Sequence, residues 1–227
     1  MNPFVRKAKT VPDQKVLARV GETVRRRLEA DPNIHKLPTE EAEIYAGGGF
    51  LDKAECWQLT TLIDRVAQPS TLFASSDADP DYRTSYSGHL DPDDPYVQMV
   101  DRRIADLLGI DPTCGETLQG QRYMPGQQYK EHFDWFPTTA DYWKTERKRG
   151  GQRCWTAMIF LNDVEEGGET HFTRAGLKVT PETGALLVWN NATAEGLPNE
   201  QTMHAALPVI KGMKHVVTKW FRVRKWG

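Results

Sequence analysis

QQYKEHFDWF (127–136), read together with EQTMHAALPVIKGMKHVVTKWF (200–221), decides how this chain folds. Successive side chains of a strand point to opposite faces. His132 and Asp134 would therefore share one face while Phe133 takes the other. His204 lies 70 positions after Asp134, and Lys214 ten beyond His204 on the apolar run HVVTKW. A third ligand from a distant strand closes a set of two imidazoles and one carboxylate, which leaves half of an octahedral metal's shell open.

Around these stretches the chain changes texture at about Leu118. Strand candidates follow at 118–123, 129–135, 154–161, 169–173, 185–189 and 214–223, separated by Gly, Pro, Asn and Asp clusters. Before them come helices. Residues 1–12 read as a loose arm, and 13–30 as a helix in which Val16, Val20, Val24 and Leu28 recur every four residues until Pro32. Arg25, Arg26 and Arg27 suit a solvated C-terminal end. Gly47 to Gly49 read as a flexible joint. Asp52 and Glu55 have capping-box spacing for a helix carrying Leu59, Leu62, Ile63 and Val66. Residues 74–95 read as a long polar loop, and another helix starts near Asp93. Helices first and many short strands afterwards predict an α+β domain with a mainly β core and supporting N-terminal helices. The division expected is an arm and helix at 1–43 and a single catalytic-type domain at 44–227.

Composition narrows the function classes. With 227 residues, 39% hydrophobic and 26% charged, the chain reads as an ordinary globular protein. A net charge of −2 gives no general attraction to nucleic acid or anionic membrane. The three cysteines, Cys56, Cys114 and Cys154, form neither a disulfide framework nor a C-x-x-C zinc site. The N-terminal stretch lacks an apolar signal core, and no apolar run approaches the ~20 residues that span a bilayer. A cytoplasmic setting is the expectation.

The donor set of His132, Asp134 and His204 is that of non-haem Fe(II) oxygenases. His171 makes a competing E-x-H with Glu169, while His35, His89 and His215 read as ordinary surface or hydrogen-bonded histidines. Lys214 is costly to bury unpaired. It reads either as an exposed strand start or as an ammonium that receives the distal carboxylate of a dicarboxylate cosubstrate. Tyr123 and Thr170 are neutral donors for the same carboxylate.

FLDKAEC (50–56), RTS (83–85), QRYMPGQQYKEHFDWF (121–136), GGQR (150–153), FLNDVEEGGETHF (160–172) and MHAALPVIKGMKHVVTKWFR (203–222) occur in that order. Over about 44–226 the chain thereby resembles the prolyl 4-hydroxylases of the 2-oxoglutarate/Fe(II) dioxygenase superfamily. The resemblance implies a double-stranded β-helix (jelly-roll) barrel. It implies Fe(II) held by His132, Asp134 and His204, and 2-oxoglutarate anchored by Lys214 with help from Tyr123 and Thr170. A lysine anchor, rather than arginine, points to the collagen, plant and algal type.

The resemblance also implies an O2-dependent 4-hydroxylation of peptidyl proline, with succinate and CO2 as coproducts and ascorbate to re-reduce the iron. Tyr129, Arg153 and Trp220 match substrate-side positions of that type. Trp220 shares the face of Lys214 by period two, whereas Tyr129, three before His132, would face away from it on a regular strand. Core packing is the rival reading of both aromatics, and a solvated loop with Lys144, Arg147, Lys148 and Arg149 that of Arg153. YSGHL (86–90) and the charged stretch 137–149 depart from the family pattern at places that bear on the substrate. Other readings stay open: the same chemistry on a non-prolyl or small-molecule target, a non-catalytic binding barrel, and a metal-dependent isomerase or hydrolase. The complete H-x-D…H…K set argues against the binding barrel.

Overall fold

The computed structural model describes residues 11–71 and 79–227, so most of the N-terminal arm and residues 74–78 of the long loop lie outside the described residues. In chain order the elements are α1 (Gln14–Ala30), β1 (His35–Lys36), β2 (Ile44–Gly47), α2 (Lys53–Val66), β3 (Gln68–Pro69), β4 (Tyr86–His89) and α3 (Pro95–Leu108). There follow β5 (Gln119–Tyr123), β6 (Tyr129–His132), α4 (Trp143–Glu146), β7 (Arg153–Phe160), β8 (Glu166–Gly167), β9 (Thr170–Phe172) and β10 (Leu177–Val179). The chain closes with β11 (Leu186–Asn190), β12 (His204–Ala206), β13 (Val209–Lys211) and β14 (Lys214–Arg222).

An eight-stranded sheet runs β1-β2-β11-β7-β14-β5-β4-β3 and a four-stranded sheet β10-β9-β12-β6, with β13 and β8 as a separate pair. All pairings are antiparallel. The large sheet is buried on both faces. Trp155, Ala157 and Ile159 of β7 with Val217 and Phe221 of β14 join the apolar faces of α1, α2 and α3. Met158 and Phe160 of β7 with Val216 of β14 join Phe172 and Trp189 in a second cluster on the inner side. Two-sided burial explains why these strands read as continuous apolar runs instead of alternating ones.

The helices begin and end where local chemistry dictates. The Asp52 carboxylate accepts from the Glu55 N–H at 2.8 Å and the Glu55 carboxylate from the Asp52 N–H at 3.0 Å, a complete capping box. Glu55 also takes Arg103 of α3 at 2.7 Å, tying the two helices. The buried row of α1 is Leu17, Gly21, Val24 and Leu28, one position off the valine row in its first turns, because a four-residue step drifts around a 3.6-residue helix. The expected solvated end holds for Arg26 and Arg27, which are exposed, but two of its arginines are also tied down. Arg25 pairs with Glu43, and Arg27 donates to the carbonyls of Leu107 and Asp106, docking α1 on α3. No described helix is long and apolar enough to cross a membrane.

The loop expected at 74–95 is corrected in part, and 137–149 is, as expected, no simple turn. YSGHL holds β4, paired in register with β5, so it is sheet and not loop. Residues 137–149 are a built excursion around α4, with Trp143 and Glu146 buried. The Gln152 side chain closes its base, accepting from the Phe136 N–H (3.0 Å) and donating to the Phe136 carbonyl (2.7 Å).

Candidate active site

The two sheets enclose a cavity of about 860 Å³ lined by all nine residues singled out above: Tyr123, Tyr129, His132, Asp134, Arg153, Thr170, His204, Lys214 and Trp220. The large sheet contributes Tyr123, Arg153, Lys214 and Trp220; the small one contributes Tyr129, His132, Thr170 and His204.

One ligand atom each from His132, Asp134 and His204 can be chosen so that all lie within 4.8 Å of one another. His132 sits opposite His204 in the β6–β12 pairing, which explains how residues so distant in sequence meet. Each ring is oriented by a carbonyl two residues back. His132 Nδ1 donates to Lys130 O (2.8 Å) and His204 Nδ1 to Thr202 O (2.9 Å), leaving the Nε2 lone pair of each ring free to ligate a metal. Burial and the neighbouring His204 hold His132 well below the usual histidine pKa, so it is neutral as a ligand must be. Asp134 lies two residues beyond the end of β6. The strand expected at 129–135 stops at His132, and strand alternation does not position the carboxylate. Hydrogen bonding does: Thr156 Oγ1 donates to Asp134 Oδ2 at 2.7 Å, and Asn191 Nδ2 donates to Thr156 Oγ1 at 2.9 Å. The donor set therefore fits a metal of the kind inferred from the sequence.

Lys214 is 1% exposed and has no carboxylate within 4 Å among the described residues. Its Nζ reaches Thr170 Oγ1 at 3.4 Å and lies 5.3 Å from the centre of the Tyr123 ring. The reading of an exposed strand start is thus corrected. His215 lies on the other side of β14, with Nε2 3.1 Å from Asp64 Oδ1. His171 is outside the ligand cluster.

Two β-bulges decide the substrate-side positions. In β6–β12, His204 faces His132 but Ala206 faces Tyr129, so one strand carries an extra residue. Tyr129 is thereby turned to the cavity, its ring stacked on His132 with centroids 3.6 Å apart and planes 13° apart. In β14–β7, Phe221 faces Trp155 but Arg222 faces Arg153, a second bulge that turns Arg153 inward. Arg153 is 7% exposed, which corrects the solvated-loop reading. It forms a bidentate pair with Glu116 (2.6 and 2.8 Å), lies 4.1 Å over the Trp220 ring and comes within 3.8 Å of Asp134 Oδ1. Burial favours protonation of Glu116, but Arg153 and Arg222 outweigh it and hold the carboxyl below its usual pKa. Arg222 continues the chain of charges to Glu146 at 2.5 Å.

Sequence reasoning missed Glu116, Thr156, Asn191 and Arg222. Thr156 left a signal, being the only hydroxyl in the apolar run CWTAMIFL (154–161). Glu116 left none, since it lies between a turn and a strand. Arg83 of the RTS stretch also acts here, its guanidinium 4.7 Å over Tyr129 and donating to Gln119 Oε1 at 3.2 Å.

Opposed sheets around a buried two-histidine, one-carboxylate cluster define the class, and residues 118–222 match the family described as the 2OG-Fe(II) oxygenase superfamily. The chain is 32% identical to probable prolyl 4-hydroxylase 3 of Arabidopsis thaliana over 209 residues, covering 82% of this chain and 71% of that one. It is 39% identical to prolyl 4-hydroxylase subunit alpha-1 of Rattus norvegicus over 145 residues, 63% of this chain and only 27% of the subunit's length. The viral collagen prolyl hydroxylase of Paramecium Bursaria Chlorella virus-1, in its 2OG complex, superposes with a TM-score of 0.60 at 26% identity, over 79% of this chain and 95% of that one. The chain belongs to the prolyl 4-hydroxylase family of the 2-oxoglutarate/Fe(II) oxygenases.

Proposed function

We propose that this chain is an Fe(II)- and 2-oxoglutarate-dependent dioxygenase that hydroxylates peptidyl proline at C4. One oxygen atom of O2 goes to the proline and the other to succinate, with release of CO2. The observation that carries the reading is a buried ammonium, Lys214, without a carboxylate partner, lining the same cavity as a three-ligand cluster. A dicarboxylate that reaches from one to the other satisfies both. Bound iron would supply the redox chemistry that couples decarboxylation of the 2-oxoacid to oxidation of a C–H bond.

The chain's own residues do the positioning. His132, Asp134 and His204 hold the metal through Nε2, a carboxylate oxygen and Nε2. Lys214 neutralises the distal carboxylate, with Thr170 Oγ1 3.4 Å from its Nζ and the Tyr123 ring centre 5.3 Å away. Burial raises the Tyr123 and Tyr129 phenols above their usual pKa, so both stay protonated; the Tyr123 hydroxyl donates to Gln121 Oε1 at 2.9 Å and would turn to the carboxylate when it binds. Tyr129 and Trp220 present aromatic faces to a proline ring, and Arg153, fixed by Glu116, faces the peptide backbone. The cytoplasmic setting and the ascorbate requirement belong to the same proposal; unpaired Cys56, Cys114 and Cys154 suit a reducing compartment.

The test is mass spectrometry of proline-containing peptides incubated with the protein, Fe(II) and 2-oxoglutarate in air. A gain of one oxygen on proline, lost without 2-oxoglutarate and in His204→Ala, is expected. Succinate production with no oxidised peptide would overturn the prolyl reading while keeping the cosubstrate chemistry.

A further inference from the structure

Resting on the peptide reading above, we propose that the rim formed by the 137–149 excursion and Trp226 receives an acidic side chain of the substrate next to the target proline, with Arg149 as its partner. This rim is built and not loose. Trp143 is buried beneath it, Glu146 is held by Arg222 at 2.5 Å, and Arg224 Nη2 donates to the Arg147 carbonyl at 2.9 Å. Gln152 clamps its base.

The charges on this excursion do not balance. Lys144 pairs with Asp141 at 3.6 Å and Glu146 with Arg222, which uses both of its acids. Arg147, Lys148 and Arg149 have no carboxylate within 4 Å among the described residues, in a chain whose net charge is −2. Of the three, only Arg149 lines the catalytic cavity, together with Trp226 and continuous with Arg153 and Trp220. Its guanidinium lies 5.5 Å over the Trp226 ring, a contact that pre-orients the planar fork a carboxylate needs. A sequence-tolerant nucleic-acid groove would instead require several stacking aromatics along the basic track. Here Trp143 is buried in the excursion, and Trp226 is engaged by Arg149. An acidic peptide is the partner whose charge and shape this rim fits.

The test uses proline peptides of matched length that carry Asp, Asn or Lys at each flanking position, with Fe(II) and 2-oxoglutarate saturating. KM is read for hydroxylation. At one register Asp should lower KM about two- to fivefold relative to Asn, the range of an exposed ion pair, with Lys worse than Asn. The advantage should shrink at about 1 M salt, where the screening length is roughly 3 Å. Arg149→Glu should reverse the order of Asp and Lys at that register. Equal KM values for Asp and Lys at every register overturn the inference, as does an Asp preference that survives Arg149→Glu. Single-stranded RNA competing better than the Asp peptides overturns it in favour of a nucleic-acid surface. Succinate formation with no peptide hydroxylated overturns the peptide reading and this inference with it, a result distinct from flat KM values.

Discussion

Burial pushes the Lys214 ammonium down to about 7, and Glu169 offsets only part of that loss. The unfolded lysine holds its proton up to 10.5, so between about 7 and 10.5 the unfolded chain binds more protons than the folded one. Through this group the stability of the cosubstrate-free protein therefore rises with pH across that window. Dicarboxylate binding reverses the preference, because it favours the charged amine. Above pH 7 binding must take up a proton, so the Kd for 2-oxoglutarate should weaken as pH rises from 7 to 9. Lys214→Met should bind weakly with that dependence flattened, which titration at several pH values checks. At the metal end, Asn191 donates to Thr156, so the Thr156 proton is directed at Asp134 Oδ2. Thr156→Val should lower Fe(II) or Co(II) affinity about ten- to a hundredfold by anaerobic titration, and Thr156→Ser should restore it. Unchanged affinity in the valine variant would remove Thr156 from any positioning role.

The elements divide by how their positions were set. The helix ends were legible, because caps are local: Asp52 and Glu55 announce α2 three residues apart, and the structure closes both bonds. Asp52→Ala should cost about 1 kcal/mol, a fall in Tm of roughly 2–4 °C on thermal melting, without altering 2-oxoglutarate binding. Of the ligand set, the strand that opens on Lys214 was legible from its apolar run, whereas β6, which stops at His132, was drawn too long and the short β12 at His204 was not drawn at all. The bulges were not legible. An extra residue at Tyr129 or at Arg153 leaves no mark in composition or period, because it is specified by pairing with β12 and β14 far along the chain. Period two therefore pointed Tyr129 the wrong way. Asp134 was placed correctly for a reason the alternation argument did not contain, since its support is Thr156 on β7.

At the scale of the molecule, the order of helices followed by short strands was enough to foresee the α+β architecture. It was not enough to foresee β4 or the excursion around α4, whose polar residues are satisfied by tertiary partners such as Arg222 and Gln152. The large sheet separates two interiors, and β14 belongs to both. All nine of its residues are buried, yet Val217 and Phe221 pack toward the helices while Lys214, Thr218, Trp220 and Arg222 line the cavity. Lys219, on the helix side, is neutralised by Asp101 of α3. Stability and chemistry are thus written on alternate letters of a single word. Selection for a new substrate can edit the cavity letters of that strand while the helix-facing letters keep the fold, and a lineage can change its target without first having to find a new scaffold.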